Sequence, residues 1–216
     1  MDRIKKLCTY LQPCKTFADV ACDHGYCAEY MLKNGLCERA VISDISEKSL
    51  SKAETLLSVY IKNGRCRAAC CDGLEGLDVN TDEVLIAGIG GEEIVKILKN
   101  SFIPKSYVFQ PMKNAEEVRK YLISANCEIT TDDIFTDGKN YYFIIKGLRC
   151  GSPQNYSEAQ LKYGKDSLKN TVFYEYLKTE LSKKKSYLLR TMTDENRSRL
   201  ETEISFMEGV LKSEID

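Results

Sequence analysis

Two short segments carry the residues best suited to chemistry. Residues 17–26 run apolar and then end in a tight turn holding Asp23, His24 and Gly25, with Asp19 just before it. Residues 41–45 form a second apolar stretch that ends on Asp44 and Ile45. An acid at the end of a second strand, roughly 20 residues after the first strand's turn, is what a nucleotide ribose needs from a doubly wound α/β fold. The carboxylate of Asp44 would accept from both ribose hydroxyls. A dinucleotide would call for several glycines in the first turn, so that its pyrophosphate can sit on a helix N-terminus. The stretch from Ala21 to Gly25 has one glycine, and Asp19 and Asp23 would repel a pyrophosphate. S-adenosyl-L-methionine has no phosphate and carries a cationic amino group, so it suits an acidic turn better than NAD.

Two further places would complete such a site. Asp72 and Gly73 follow a third strand-like stretch, where a carboxylate could meet the adenine amino group. Gly88, Gly90 and Gly91 follow a fourth, where glycines let a ligand approach the backbone. His24, the single histidine, reads as a positioning residue at the turn. No serine–histidine–acid order or carboxylate pair is evident, which points to chemistry needing little acid–base help.

The elements that must position these residues alternate. A helical apolar stripe of Ile4, Leu7, Cys8 and Leu11 ends before Pro13. Strands are expected over 16–21, 40–43, 65–70, 83–87 and 106–109, with helices over 27–34, 48–63, 92–98 and 115–125. Ser46 is a candidate N-cap, and Gly35 and Gly64 are candidate helix stops. Two more strands, over 128–136 and 141–147, flank the turn at Asp137-Gly138, a hairpin signal. This pattern predicts a mostly parallel sheet with helices on both faces. The terminal antiparallel pair marks the methyltransferase variant of the doubly wound fold.

The character changes after Pro153. Phe173, Leu177, Leu181, Leu188 and Met192 follow helical spacing, and Leu200, Ile204, Met207 and Leu211 follow a coiled-coil seam. Thr193 and Asp194 supply a turn and N-cap. The expectation is a domain over 1–152 and a protruding antiparallel helical hairpin over 153–216. The lysine run 183–185 reads as a solvated helix face.

Bulk composition fits one ordinary domain plus an appendage: 216 residues, 43% hydrophobic, 29% charged, net charge −1. No global basic excess advertises nucleic acid, which leaves a local patch open. No apolar run approaches the roughly 20 residues that span a bilayer. The basic N-terminus lacks an apolar stretch behind it, so a cytoplasmic protein is expected. The ten cysteines form no paired spacing suited to zinc, so they read as reduced structural thiols with no metal.

Taken in order, several motifs resemble one family. They are Asp19 to Gly25, Ser43-Asp44, Asp72 to Leu74, Ala87 to Gly91, Gln110-Pro111, Asp137 to Lys139 with Tyr142, Tyr163-Gly164 and Tyr176-Leu177. The set is similar to the bacterial tRNA (adenine-22-N1)-methyltransferases, TrmK, over nearly the whole chain. The resemblance implies a class I S-adenosyl-L-methionine-dependent, Rossmann-like α/β fold with a C-terminal coiled-coil hairpin, and tRNA as acceptor. By carry-over, Asp19, Asp23, His24, Asp44, Asp72 and Gly88 line the cofactor pocket, with Ala21, Gly25, Ile45 and Gly73 beside them. This chain departs from the family pattern at Ala21, where glycine is expected, at Ala28, where proline is expected, and at Ile89, where methionine is expected.

Adenine N1 has a free lone pair, so no proton must leave before methyl transfer and rate comes from in-line positioning. Gly90, Gln110 and Pro111 are the candidates for the acceptor pocket, and the target base must be unpaired or flipped to enter it. Arg3, Lys5 and Lys6 are candidate phosphate contacts, and the chain is expected to act as a monomer without an obligate protein partner. Two other readings stand beside this one: a methyltransferase of a small molecule or protein, with the hairpin as lid or dimer contact, and a non-catalytic tRNA-binding module. A nicotinamide oxidoreductase fits the acidic turn least.

Overall fold

The computed structural model describes residues 2–213. Its strands are β1 (Cys14–Val20), β2 (Cys37–Asp44), β3 (Cys66–Cys70), β4 (Glu83–Ala87), β5 (Ser106–Gln110), β6 (Glu128–Asp137) and β7 (Asn140–Leu148). They form one sheet in the order β3-β2-β1-β4-β5-β7-β6. Strands β1 to β5 are parallel, and β7 runs antiparallel to both β5 and β6. Among the described residues, no helix is long and apolar enough to cross a membrane.

The central strands are mostly apolar because helices cover both faces, and Asp19 interrupts β1. Alternation along each strand then sorts side chains into two layers. Phe17 and Leu85 pack with Leu7, Met31, Ile42 and Leu57 on one face. Ala18, Val84 and Ile86 pack with Ile94, Phe109, Val118 and Leu122 on the other. The first layer is closed by α1 (Arg3–Cys8), α2 (Tyr26–Lys33), α3 (Glu47–Leu56) and α4 (Ser58–Lys62), and the second by α5 (Gly91–Asn100) and α6 (Ala115–Ser124).

The expected helix over 48–63 is two helices. The break falls at Leu57, which leaves helical geometry (φ −94°, ψ 10°) and is wholly buried. Its Cδ1 lies 3.1 Å from where a Cβ on Gly25 would stand, so the break seats Leu57 beneath the first turn. Ser46 caps α3 as expected, accepting from the Ser49 N–H. The β6–β7 turn is a two-residue connection with Gly138 at φ +59°.

Past β7 the chain remains stitched to the sheet. The Gln154 carboxamide exchanges two hydrogen bonds with the backbone of Ile129. Helix α7 (Glu158–Tyr163), which the sequence pattern did not reveal, starts at a Ser157/Gln160 capping box. A wholly buried ion pair anchors this segment. Arg119 Nε donates to both oxygens of Asp132, at 2.8 and 3.0 Å, and its Nη1 donates to the carbonyls of Leu161 and Lys162.

The hairpin consists of α8 (Thr171–Leu188) and α9 (Asp194–Ser213), with Thr193 accepting from the Asn196 N–H as N-cap. Its base is core: Phe173, Leu177, Met207 and Val210 pack with Ile134, Tyr163 and Leu168. Ile204 is buried in the expected seam, while Leu200 and Leu211 are half-buried. On α8 no residue past Leu177 is fully buried, and at the tip Leu189 is 89% exposed. Lys183 pairs with Glu180 on its own helix, whereas Lys184 and Lys185 pair across the hairpin with Glu203 and Glu208. All ten cysteines are free thiols.

Candidate active site

At the C-terminal ends of β1, β2 and β4 lies a cavity of about 440 Å³, where open parallel sheets bind ligands. Asp19, Ala21, Asp23, His24, Asp44, Ile45 and Gly88 all line it. Gly25 supports it from behind. At φ +72°, it crosses Ala53 so closely that a Cβ would come within 3.0 Å of that side chain. Ala21 and Asp23 are also left-handed, at φ 56° and 46°. Ala21 therefore holds a glycine conformation, and costs on the order of 1 kcal/mol for doing so.

Each carboxylate is held differently. Asp44 accepts from the Ser46 N–H at 2.9 Å with one oxygen and from the Asp23 N–H at 3.1 Å with the other, tying β2 to the β1–α2 turn. Asp23 faces Lys52 at 3.0 Å and His24 Nδ1 at 2.6 Å, and these partners, Lys52 foremost, hold its carboxyl below the usual range. The His24 ring also stacks on Tyr26, 5.3 Å between centroids and 2° from parallel. His24 is thus engaged as an anchor of the turn.

Asp19 is the unusual member. It is 5% exposed and accepts one hydrogen bond, from the Ala28 N–H at 3.1 Å. Burial pushes its carboxyl up to about 7, with a smaller push from Asp44. The proline expected at position 28 would have no N–H to give, so Ala28 supplies a bond that the family pattern would lack.

Asp72 and Gly73 do not join this cavity. Asp72 lines a separate small pocket with Glu75, Glu93 and Lys96. Gly73 is a packing glycine at φ +58°, where a Cβ would lie 2.6 Å from Ile97 Cγ2. The Asp-Gly signal there marks a turn seated on α5.

The acceptor-side candidates sit next to the cavity. Gln110 and Pro111 are buried. Gln110 pairs in register with Ala87, and its carbonyl accepts the Gly88 N–H at 3.1 Å. Gly90 is the N-cap of α5. Its neighbour Gly91 is indispensable, since a Cβ there would stand 2.1 Å from the Asn114 carbonyl oxygen.

Arg3 is where expectation and structure part. A candidate phosphate contact from the sequence, it lines the cavity. Its Nη1 lies 3.3 Å from Gln110 Oε1 and 3.4 Å from Met112 Sδ, and its backbone N–H donates to Asp137. Lys5 is exposed, and Lys6 lies over the Tyr10 ring. Ile4 and Leu7, which share the apolar stripe of α1, line the cavity with Arg3. That stripe was the available signal that the first helix covers the site. Among the described residues no cluster of three or more metal-ligating side chains occurs.

A parallel five-stranded core with a reversed β7 inserted before β6, and an acidic cavity at the strand ends, defines a Rossmann-like methyltransferase fold. The chain belongs to the methyltransferase domain family, whose model matches residues 1–145. A Mycoplasma pneumoniae protein provisionally named a tRNA methyltransferase is 32% identical over 133 residues, 61% of this chain and 62% of that relative's own length. The structure of M. capricolum TrmK in complex with S-adenosyl-homocysteine superposes with a TM-score of 0.89 at 21% identity, over 98% of this chain and 97% of that one. The B. subtilis m1A22 tRNA methyltransferase TrmK gives 0.85 at 22%, over 100% and 98%. At these identities the likeness is one of fold, and it includes the hairpin.

Proposed function

We propose that this protein transfers a methyl group from S-adenosyl-L-methionine to N1 of adenine at tRNA position 22. The observation that carries the reading is the acidic cavity itself. Asp19 is a buried carboxylate facing it with a single hydrogen bond, and a cationic amino group would satisfy it as a phosphate never could. Asp44 would take the ribose hydroxyls, and the exposed Ile45 would flank the adenine. Bound there, the cofactor would supply a sulfonium methyl. The names of the M. pneumoniae and B. subtilis proteins favour tRNA, the second of them favours adenine 22, and the M. capricolum complex with S-adenosyl-homocysteine favours the cofactor.

This chain's residues then have defined work. The Gly88–Gly91 backbone and Gln110 bound the place where a flipped base enters beside the cavity. His24, tied to Asp23, keeps the turn in shape. Adenine N1 attacks through its own lone pair, so the site needs alignment and exclusion of water, and no strong base. Lys5, Lys6 and the hairpin tip are proposed to meet tRNA phosphates, with the enzyme acting as a cytoplasmic monomer. Residues 1–152 would carry the chemistry and residues 153–216 the additional grip.

The test is transfer of labelled methyl to two unmodified transcripts, with adenine or guanine at position 22. Label on the adenine transcript alone, recovered as 1-methyladenosine, is expected. Label on both would overturn the position. A protein that binds the cofactor but labels neither would have another acceptor, such as a small molecule.

A further inference from the structure

We infer that Gln110 selects the acceptor base by its exocyclic amino group, and that the Arg3 guanidinium holds the amino group's place until the base arrives. The inference rests on the adenine N1 reading above and assigns its base specificity. The orientation of the carboxamide is fixed by its surroundings. Gln110 Nε2 donates to the Pro111 carbonyl at 3.1 Å and faces Met112 Sδ at 3.6 Å. Oε1 is therefore the acceptor left for a partner, and Arg3 Nη1 meets it at 3.3 Å. A wholly buried oxygen needs an N–H donor, and this donor sits on a half-buried, flexible side chain.

Adenine offers the same kind of donor in the same place. Its amino group is bonded to C6, next to N1, so an oxygen that holds the amino group also sets the direction of the N1 lone pair. Guanine presents a carbonyl oxygen there, which would face Oε1 acceptor to acceptor. Gln110 lies beside Ala87 and Gly88, which line the cofactor cavity, so a base held this way points its N1 at that cavity. Arg3 has to yield. A guanidinium left on N1 would cap the lone pair, and it would repel the cationic methylated product. It has a second seat close by, with its Cζ already 5.8 Å from the Tyr142 ring centroid.

The experiment measures methyl transfer to tRNA transcripts carrying adenosine or purine ribonucleoside at the target position. The second keeps N1 and lacks the amino group. Wild type should prefer adenosine by about 10- to 100-fold in kcat/KM, the cost of leaving a buried acceptor unmet. Gln110→Ala should lose activity on adenosine and treat both transcripts within about threefold. Gln110→Met, which fills the space without an acceptor oxygen, should do the same, and calorimetric cofactor binding checks that each variant is folded. Arg3→Ala should keep the wild-type preference. Preference retained in either Gln110 variant, or lost in Arg3→Ala, overturns the inference. Wild type active on both transcripts without preference overturns it too and leaves the proposed function standing. Wild type inactive on adenosine removes both.

Discussion

If Asp19 holds the cofactor's amino group as proposed, it sets cofactor affinity against stability. Its carboxyl is pushed up to about 7 from an ordinary 3.8, mainly by burial. The folded state therefore holds a proton that the unfolded state has released between those two values. Stability from this group is full below 3.8, falls as pH rises, and is gone above 7, a span on the order of 4 kcal/mol. Asp19→Asn keeps an oxygen for the Ala28 N–H and removes the charge. The variant should melt several degrees higher than wild type at pH 8, at roughly 2–4 °C per kcal/mol recovered. The gap should narrow to roughly a third at pH 5, where the folded Asp19 is still protonated but the unfolded chain has already released its proton, and should close only below about pH 4. Cofactor affinity should move the other way. Wild-type binding should weaken about tenfold per unit below pH 7, since a proton must be displaced, and the variant should bind weakly at every pH. Melting curves and calorimetry at pH 5 and 8 decide it, and a variant no more stable than wild type at pH 8 would show that Asp19 carries no strain. At this scale the sequence was informative wherever polarity interrupted an apolar strand, as at Asp19 and Asp44. It was mute about Arg3. An arginine on a short basic helix looks solvated, and its partners Gln110 and Asp137 lie more than a hundred residues away.

Elements were legible where periodicity was strong. The parallel core, the β6–β7 hairpin and the Ser46 cap follow from local pattern alone. What local pattern left out was the seam between α6, β6 and α7. Arg119 sits in a charged, ordinary-looking helix, and nothing around it announces complete burial. Its role exists only once Asp132 and the carbonyls of Leu161 and Lys162 converge on it. Arg119→Met should cost about 3–5 kcal/mol, because the buried Asp132 loses its cation, keeping the Lys165 N–H, and the carbonyls of Leu161 and Lys162 lose their donor. Burial holds the Asp132 carboxyl above its ordinary range even with Arg119 present, so the variant should leave it protonated. Adding Asp132→Leu to Arg119→Met should recover a good part of the loss, since a buried pair replaced by apolar side chains is often neutral. Urea unfolding of the three proteins measures both effects. A single variant within about 1 kcal/mol of wild type would mean that the pair does not anchor α7.

At the scale of the whole molecule, the hairpin divides into a base that belongs to the core and a tip that does not. The spacing of apolar residues announced two helices, but it drew the domain border too simply. Gln154, α7, Phe173 and Leu177 all pack against the sheet, so a chain cut at residue 152 would bare Ile134 and the Arg119–Asp132 pair. The informative cut is higher. Past Leu181 the two helices are held by Lys184–Glu203 and half-buried seam contacts such as Leu200, and surface ion pairs contribute about 0–1 kcal/mol each. Replacing residues 182–202 with four glycine or serine residues would span roughly 13 Å, enough to join adjacent antiparallel helices about 10 Å apart. Leu177, Met207 and Val210 stay in place. The shortened protein should remain folded, with a melting temperature lower by only a few degrees. It should bind the cofactor as wild type does, because none of residues 182–202 lines the cavity. If the tip grips tRNA, KM for tRNA should rise at least about tenfold with kcat little changed, the pattern of lost uniform binding. The dependence of tRNA affinity on salt should flatten as phosphate contacts go. An unchanged KM and salt slope would make the tip a passive extension and move the tRNA grip to Lys5, Lys6 and the site itself.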